Sequence, residues 1–182
     1  MNPTDAMTGL PVPAAFRSEL ARLVRVGEPF GLLLLDLDSL KTVNGFALHE
    51  RGDQMMRRTG QAIVAVSPGR ALVFRHGGDE FAVLVATAAT REAVELGERI
   101  CAAVAAIEVP ASDEPGPSPS HLACSIGVAF YPADGQGALD LIKAADQWQF
   151  IAKQMGGGRV ALADEASMAW LTAHGGGLTN RP

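Results

Sequence analysis

The chain has 182 residues, the size of one domain, and 48% of them are hydrophobic, enough to bury a full core. Its formal net charge of −5 at pH 7 argues against nonspecific nucleic-acid binding, so a polyanionic substrate would need cations placed locally to meet it. The N-terminus lacks a basic segment followed by a long apolar run, and no apolar stretch reaches spanning length; the expectation is a soluble cytoplasmic protein without membrane insertion.

Residues 1–13 read as an irregular lead with a Thr-Gly-Leu-Pro turn. Residues 14–26 place Phe16, Leu20, Leu23 and Val24 at helical spacing, and Gly27-Glu28-Pro29 ends that helix. The apolar run 30–37 has the length of a buried strand. A helix is expected from about Ser39, broken near Gly45 and resumed over 52–66. Two apolar runs flanking Gly77-Gly78 predict a β-hairpin over 71–86. Thr90 is expected to cap a helix running to about Ile107, with Ala93, Leu96, Ile100, Val104 and Ile107 along one face. The Pro- and Ser-rich segment 109–120 reads as a loop. A strand over 122–131, a helix over 138–155 stopped by Gly156-Gly157-Gly158, and a short strand over 159–162 complete one domain over 1–162. The remaining 163–182 read as a partly disordered tail with one or two helical turns near 168–171. Strands and helices alternating around one hairpin predict an α/β fold with a mixed central sheet flanked by helices.

The chemistry concentrates at two acidic places. The first is Gly77-Gly78-Asp79-Glu80 at the hairpin tip, where glycines permit positive φ or close backbone approach and two acids sit on a rigid element. Such acids suit a hard cation such as Mg²⁺. An ordinary solvated turn has the same composition. The second is Asp36-Leu37-Asp38, emerging from the end of the buried strand, where ligands of open α/β sheets bind. Asp36 and Asp38 are expected on opposite faces, with Asp36 toward the site. An Asp cap of the following helix explains one of these acids. It does not explain the series that continues through Lys41, Asn44 and Asp53, in which Lys41 suits phosphate and Asn44 and Asp53 suit a base edge.

With these blocks in view, the chain resembles the GGDEF domain, the catalytic domain of bacterial diguanylate cyclases. Four blocks match in order: 5–11; 36–44 with Gly52-Asp53; 75–81; and 125–129 followed by Ala145-Asp146 and Ala152-Lys153. The resemblance implies the fold shared with class III nucleotidyl cyclases and polymerase palm domains. It implies that Asp36, the Leu37 carbonyl, Asp79 and Glu80 hold two Mg²⁺ ions, with Mn²⁺ able to stand in. Asp36, Asp79 and Glu80 are then the catalytic residues. It implies further that Lys41 and Lys153 meet the β- and γ-phosphates of GTP. Backbone N–H groups at Ser39 and Leu40 cradle the triphosphate, Gly77 and Gly78 admit it closely, and Asn44 and Asp53 read guanine. Two such domains must then face each other in a transient dimer to make cyclic di-GMP, with no nucleic-acid partner. A catalytically weak or inactive nucleotide-binding or protein-interaction module is the competing expectation.

The chain departs from the family pattern in places. Gly45 stands where Asp is usual, Leu48 where Gly is usual, and Val12-Pro13 where Asn-Arg is usual. Gly156-Gly157-Gly158 replaces a Gly-Arg-Asn block, which leaves Gly157 at the place of a phosphate-binding arginine unless Arg159 substitutes. Pro68 and Ala71 occupy the positions of the Arg-x-x-Asp product site, so inhibition through it is expected to be absent. Among other residues, Arg75 is expected to pair with Asp5, and His49 to pack or cap. Trp148 and Phe150 are expected in the core, and Asp146 in a structural polar contact. Cys101 and Cys124 read as small core residues, without metal or redox spacing.

Overall fold

The computed structural model describes residues 3–38, 49–87, 89–109 and 120–174, with only the backbone of 49–51. The expectations for Ser39, Leu40, Lys41, Asn44, Gly45 and the His49 side chain lie outside the described residues. So do those for 110–119 and 175–182.

In chain order the elements are α1 Pro13–Val26, β1 Phe30–Asp38, α2 His49–Val66, β2 Ala71–Arg75, β3 Glu80–Val85, α3 Thr90–Ala105, β4 Ala123–Tyr131, α4 Ala138–Gln154, β5 Val160–Ala161 and α5 Glu165–His174. The strands form one sheet in the order β2-β3-β1-β4-β5. β1 is central and antiparallel to both β3 and β4, whereas β5 runs parallel to β4. The sheet is therefore mixed and flanked by helices, as the alternation of elements predicts.

Strand alternation divides the sheet residues between two apolar layers. Leu33, Leu35 and Leu37 of β1 pack with Phe81, Val83 and Val85 of β3, with Met55 and Ile63 of α2, and with Leu96 and Ile100 of α3. Leu32 and Leu34 face the other way and pack with Phe16 and Leu20 of α1 and Leu141 and Ala145 of α4. A smaller cluster joins Trp148 and Ile151 of α4 to Ala161 of β5, with Trp170 and Leu171 of α5 against it. Trp148 is buried as expected; Phe150 is only half-buried.

Three local expectations are corrected. Thr90 does not cap α3: it is the first helical residue, and the cap position is Ala89, which has no side-chain capping bond. The Thr87 hydroxyl instead accepts the Ala89 N–H at 3.0 Å. Proline begins α1, where its missing N–H costs nothing, so that helix starts one residue before the apolar pattern suggests. The tail beyond β5 forms ten residues of helix over Glu165–His174, longer than one or two turns. Its start is held by Asp164, whose carboxylate accepts the Ser167 N–H at 2.8 Å.

One contact sets how closely α4 lies on the sheet. A β-carbon at Gly127 of β4 would collide with the Ala145 carbonyl oxygen and the Gln149 backbone nitrogen. Only glycine allows helix backbone and strand backbone to meet there. Because the obstruction is backbone, an alanine cannot be relieved by turning a side chain. Gly127→Ala is expected to destabilise the fold by about 3 kcal/mol or more, read as a lower midpoint in urea unfolding with an unchanged slope.

Candidate functional site

The strand order places acids side by side at one end of the sheet. Asp36 lies directly opposite Glu80 across the β1–β3 pairing, and opposite Ser125 across the β1–β4 pairing. Asp79 is tied to the same end by its carbonyl, which accepts the Leu37 N–H at 3.3 Å. Asp36 and Asp38 share a face of β1, which corrects the expectation that they diverge. Residues two apart in a continuous strand point the same way, and β1 runs unbroken through Asp38.

The two acids of β1 nevertheless take different partners. Asp36 Oδ1 is 2.6 Å from Lys153 Nζ, which reaches it from the last turn of α4. Asp38 is held by the Ser125 hydroxyl at 2.9 Å and by the Gly158 N–H at 2.9 Å. Gly156, Gly157 and Gly158 have φ of 108°, 72° and 61°, so all three lie in the left-handed region. Asp38 occupies the room that a side chain at 157 would take: a β-carbon there would stand 2.8 Å from its Oδ2. Arg159 bends back on this turn, donating Nε–H to the Gly157 carbonyl at 3.3 Å.

The hairpin tip owes its shape to Arg75 more than to glycine flexibility. Neither Gly77 nor Gly78 has positive φ, contrary to one use expected of them. The His76 and Gly77 N–H groups share the Glu80 carbonyl at 2.9 and 3.3 Å. The buried Arg75 side chain donates Nε–H to the Gly77 carbonyl at 2.5 Å and an Nη2–H to the Gly78 carbonyl. Its Nη1 lies 3.7 Å from Asp5, the ion pair expected from the sequence. Asp5 in turn accepts the Thr8 N–H and hydroxyl at 2.8 and 2.7 Å. Gly77 is needed for space, because a β-carbon there would collide with the Glu80 carboxylate; at Gly78 it would meet nothing. His76 turns from the tip to set its ring edge-on to Phe16, centroids 4.9 Å apart.

The electrostatics of this rim are dominated by burial. Desolvation raises the Asp36 carboxyl above its ordinary value despite the opposing pull of Lys153, and Asp79 and Asp38 add to the rise. Desolvation likewise raises Glu80, helped by Asp36, Asp79 and Asp146, with Lys153 opposing. Asp146 is exposed on α4 and bears on Glu80 through its charge, an influence that sequence pattern did not reveal. Lys153 is the cation common to Asp36 and Glu80. Asp53 is exposed near the start of α2.

The donor set at the rim is all oxygen and hard, which fits Mg²⁺ or Mn²⁺ in chemistry. Its present arrangement is not a preformed cage. Among the described residues, no group of three or more His, Cys, Asp or Glu side chains is disposed to hold a metal ion. Lys153 takes the Asp36 oxygen that a cation would claim. Pro68 and Ala71 bring no charge, and the neighbouring Arg70 is paired to Glu92 at 2.6 Å.

Comparison with known proteins follows the same lines. The family model described as "Diguanylate cyclase, GGDEF domain" matches residues 2–159. The diguanylate cyclase DosC of Escherichia coli is 33% identical over 152 residues, covering 83% of this chain and 32% of DosC. The cyclic di-GMP phosphodiesterase PdeR of E. coli is 30% identical over 164 residues, covering 86% of this chain and 23% of PdeR. The chain thus spans less than a third of the length of these two relatives. Among solved structures, a variant of Pseudomonas aeruginosa TpbB (YfiN) comprising only the GGDEF domain superposes with a TM-score of 0.79 at 30% identity. That likeness covers 93% of this chain and 99% of the TpbB variant.

The raised Glu80 carboxyl yields a test of the rim's cost. Its folded pKa exceeds the unfolded one, so above the folded pKa the ionised form burdens the folded state. Below the unfolded pKa both states are protonated and the burden vanishes. In chelated buffer, Glu80→Gln is expected to melt higher than the parent chain at neutral pH. The gain should shrink to nothing as pH falls through the folded pKa to the ordinary glutamate range. Thermal melts across that range check it.

Proposed function

Because this chain belongs to the GGDEF-domain family of diguanylate cyclases, we propose that it condenses two GTP molecules into cyclic di-GMP and releases pyrophosphate. The observation that carries this reading is the juxtaposition of Asp36 and Glu80 in register, with Lys153 of α4 reaching over them. Asp36, the Leu37 carbonyl, Asp79 and Glu80 would hold two Mg²⁺ ions, or Mn²⁺ in their place. Bound there, the ions supply the positive charge that favours an ionised 3′-hydroxyl and a departing pyrophosphate.

The chain's own residues account for binding and alignment in this reading. Lys153, which pairs with Asp36 here, would meet the β- and γ-phosphates, joined by Lys41, while divalent ions would supply the countercharge to the half-buried carboxylates. Backbone N–H groups at Ser39 and Leu40 receive the triphosphate. Gly78, open above the tip, leaves room for it, whereas Gly77 makes room for Glu80. Asn44 and Asp53 read the guanine, and Asp53 accepts from both the N1–H and the exocyclic amine, a donor pair adenine lacks. One domain presents one GTP, so the 3′-hydroxyl on one copy must reach the α-phosphorus on another. The catalytic species is then a transient face-to-face dimer.

A second reading, a nucleotide-binding or interaction module without turnover, is favoured by one observation. Gly157 offers no cation, and Asp38 fills the space where one would stand. Incubating the chain with Mg²⁺ and each labelled nucleoside triphosphate separates the readings. GTP alone is expected to give a cyclic dinucleotide. The rate per enzyme should rise with protein concentration, as a transient dimer requires. No product from any nucleotide at high protein concentration overturns the proposal in favour of the second reading.

Point substitutions divide the site by role. Asp79→Ala and Glu80→Ala are expected to remove turnover while circular dichroism stays native, since Asp79 precedes β3 and Glu80 is its first residue, outside the apolar core. Asp53→Ser is expected to narrow the preference for GTP over ATP by about 1.5–3 kcal/mol, the worth of a charged hydrogen bond. Competition assays with the two nucleotides measure that loss; an unchanged preference removes Asp53 from the base-reading role.

A further inference from the structure

On the sheet face turned away from Lys153, two thiols that the proposed reaction does not use lie against each other. Cys101 of α3 and Cys124 of β4 bring their sulfur atoms to 3.9 Å, and the Cys101 S–H points at the Cys124 carbonyl oxygen at 3.5 Å. These are the only two cysteines of the chain. Their environments differ: Cys124 is buried, whereas Cys101 is half-buried. Cys101 lines a cavity of about 610 Å³ that Glu98, Met155, Arg159, Asp164 and Ser167 also border. One thiol therefore meets solvent through a cavity, and the other waits behind it in the core.

We propose that Cys101 and Cys124 form a peroxide-sensitive dithiol, in which Cys101 is oxidised from the cavity and Cys124 resolves it as an intramolecular disulfide. The Cys101 sulfur attacks one oxygen of a hydroperoxide; the O–O bond breaks, and the leaving oxygen departs as water or alcohol after taking up the thiol's proton. Cys101 is then a sulfenic acid. The Cys124 sulfur attacks it, an S–S bond forms, and the sulfenic oxygen leaves as water with the Cys124 proton. Two thiols lose two electrons in all, and the peroxide gains them.

Geometry and acidity assign the same order of events. The cavity reaches Cys101 first. The Cys124 sulfur beside it holds the Cys101 thiol below its ordinary value. The thiolate is the nucleophile toward peroxide, so Cys101 reacts and Cys124 follows. Closing the sulfurs from 3.9 Å to a bond of about 2.0 Å asks for a modest shift of α3 toward β4. Cys124 directly precedes Ser125, whose hydroxyl holds Asp38. The cross-link would thus brace the strand that supports the acidic rim from behind.

The test treats the whole chain with graded hydrogen peroxide, then alkylates it in denaturant and measures intact mass. Expected is a species that has lost two hydrogen masses, takes no alkyl group, and yields a Cys101–Cys124 cross-linked peptide. Dithiothreitol should restore both thiols, and the cross-linked form should melt higher than the reduced one. Cys101→Ser is expected to leave Cys124 reduced at the same dose. Cys124→Ala, checked for native circular dichroism, is expected to accumulate a Cys101 sulfenic acid trapped by dimedone. Should Cys124→Ala fail to fold, the Cys101→Ser result and the cross-link map decide alone. Full alkylation of both thiols after peroxide overturns the proposal. Disulfides only between chains, or oxidation of Cys124 in Cys101→Ser, overturn it equally.

Discussion

Carboxylates crowded at the rim of an apolar sheet are the constraint around which this molecule is arranged. Asp36 and Glu80 are set side by side by strand register, and desolvation makes their charges costly to keep. A core of hydrophobic strands does not tolerate that unaided. The two acids of β1 are answered specifically, Asp36 by Lys153 and Asp38 by Ser125 with the Gly158 N–H, while Glu80 feels Lys153 through its charge. Remove those answers and the rim becomes a set of half-buried, mutually repelling anions.

Two features beneath the rim support this arrangement. Lys153 reaches Asp36 from a helix whose backbone lies directly on β4, a contact that rests on the absence of a side chain at Gly127. The tip bearing Asp79 and Glu80 keeps its shape because the Arg75 guanidinium sits under it and fastens two carbonyls of the turn. Arg75 also reaches the N-terminal turn through Asp5, so the first residues of the chain and the hairpin tip share one fastening.

Much of this was legible in the sequence. The order and approximate ends of the described strands and helices followed from apolar periodicity and from Gly and Pro punctuation. The acids of the rim stood out because Asp36-Leu37-Asp38 and Gly77-Gly78-Asp79-Glu80 each follow or precede an apolar run of strand length. What was not legible depends on contacts distant in sequence or on side-chain direction. The use of Gly127 depends on backbone atoms of a helix eighteen and twenty-two residues further on. The use of Gly77 depends on where the Glu80 carboxylate folds, which composition does not state. Thr90 looked like a cap by type, yet the backbone bends earlier, at Ala89. The nearness of two thiols, 23 residues apart, belongs to helix-on-sheet packing and leaves no spacing pattern.

The turn over Gly156–Gly158 couples two distant positions as mutational partners. Its left-handed backbone and the Asp38 carboxylate lodged against Gly157 together leave no vacancy for a side chain at 157. An arginine introduced there would meet an oxygen before it met a phosphate, and Asp38 would lose its N–H donor as the turn reshaped. A side chain at 157 therefore calls for a turn held differently against Asp38, so the two positions constrain each other although 119 residues separate them in the chain.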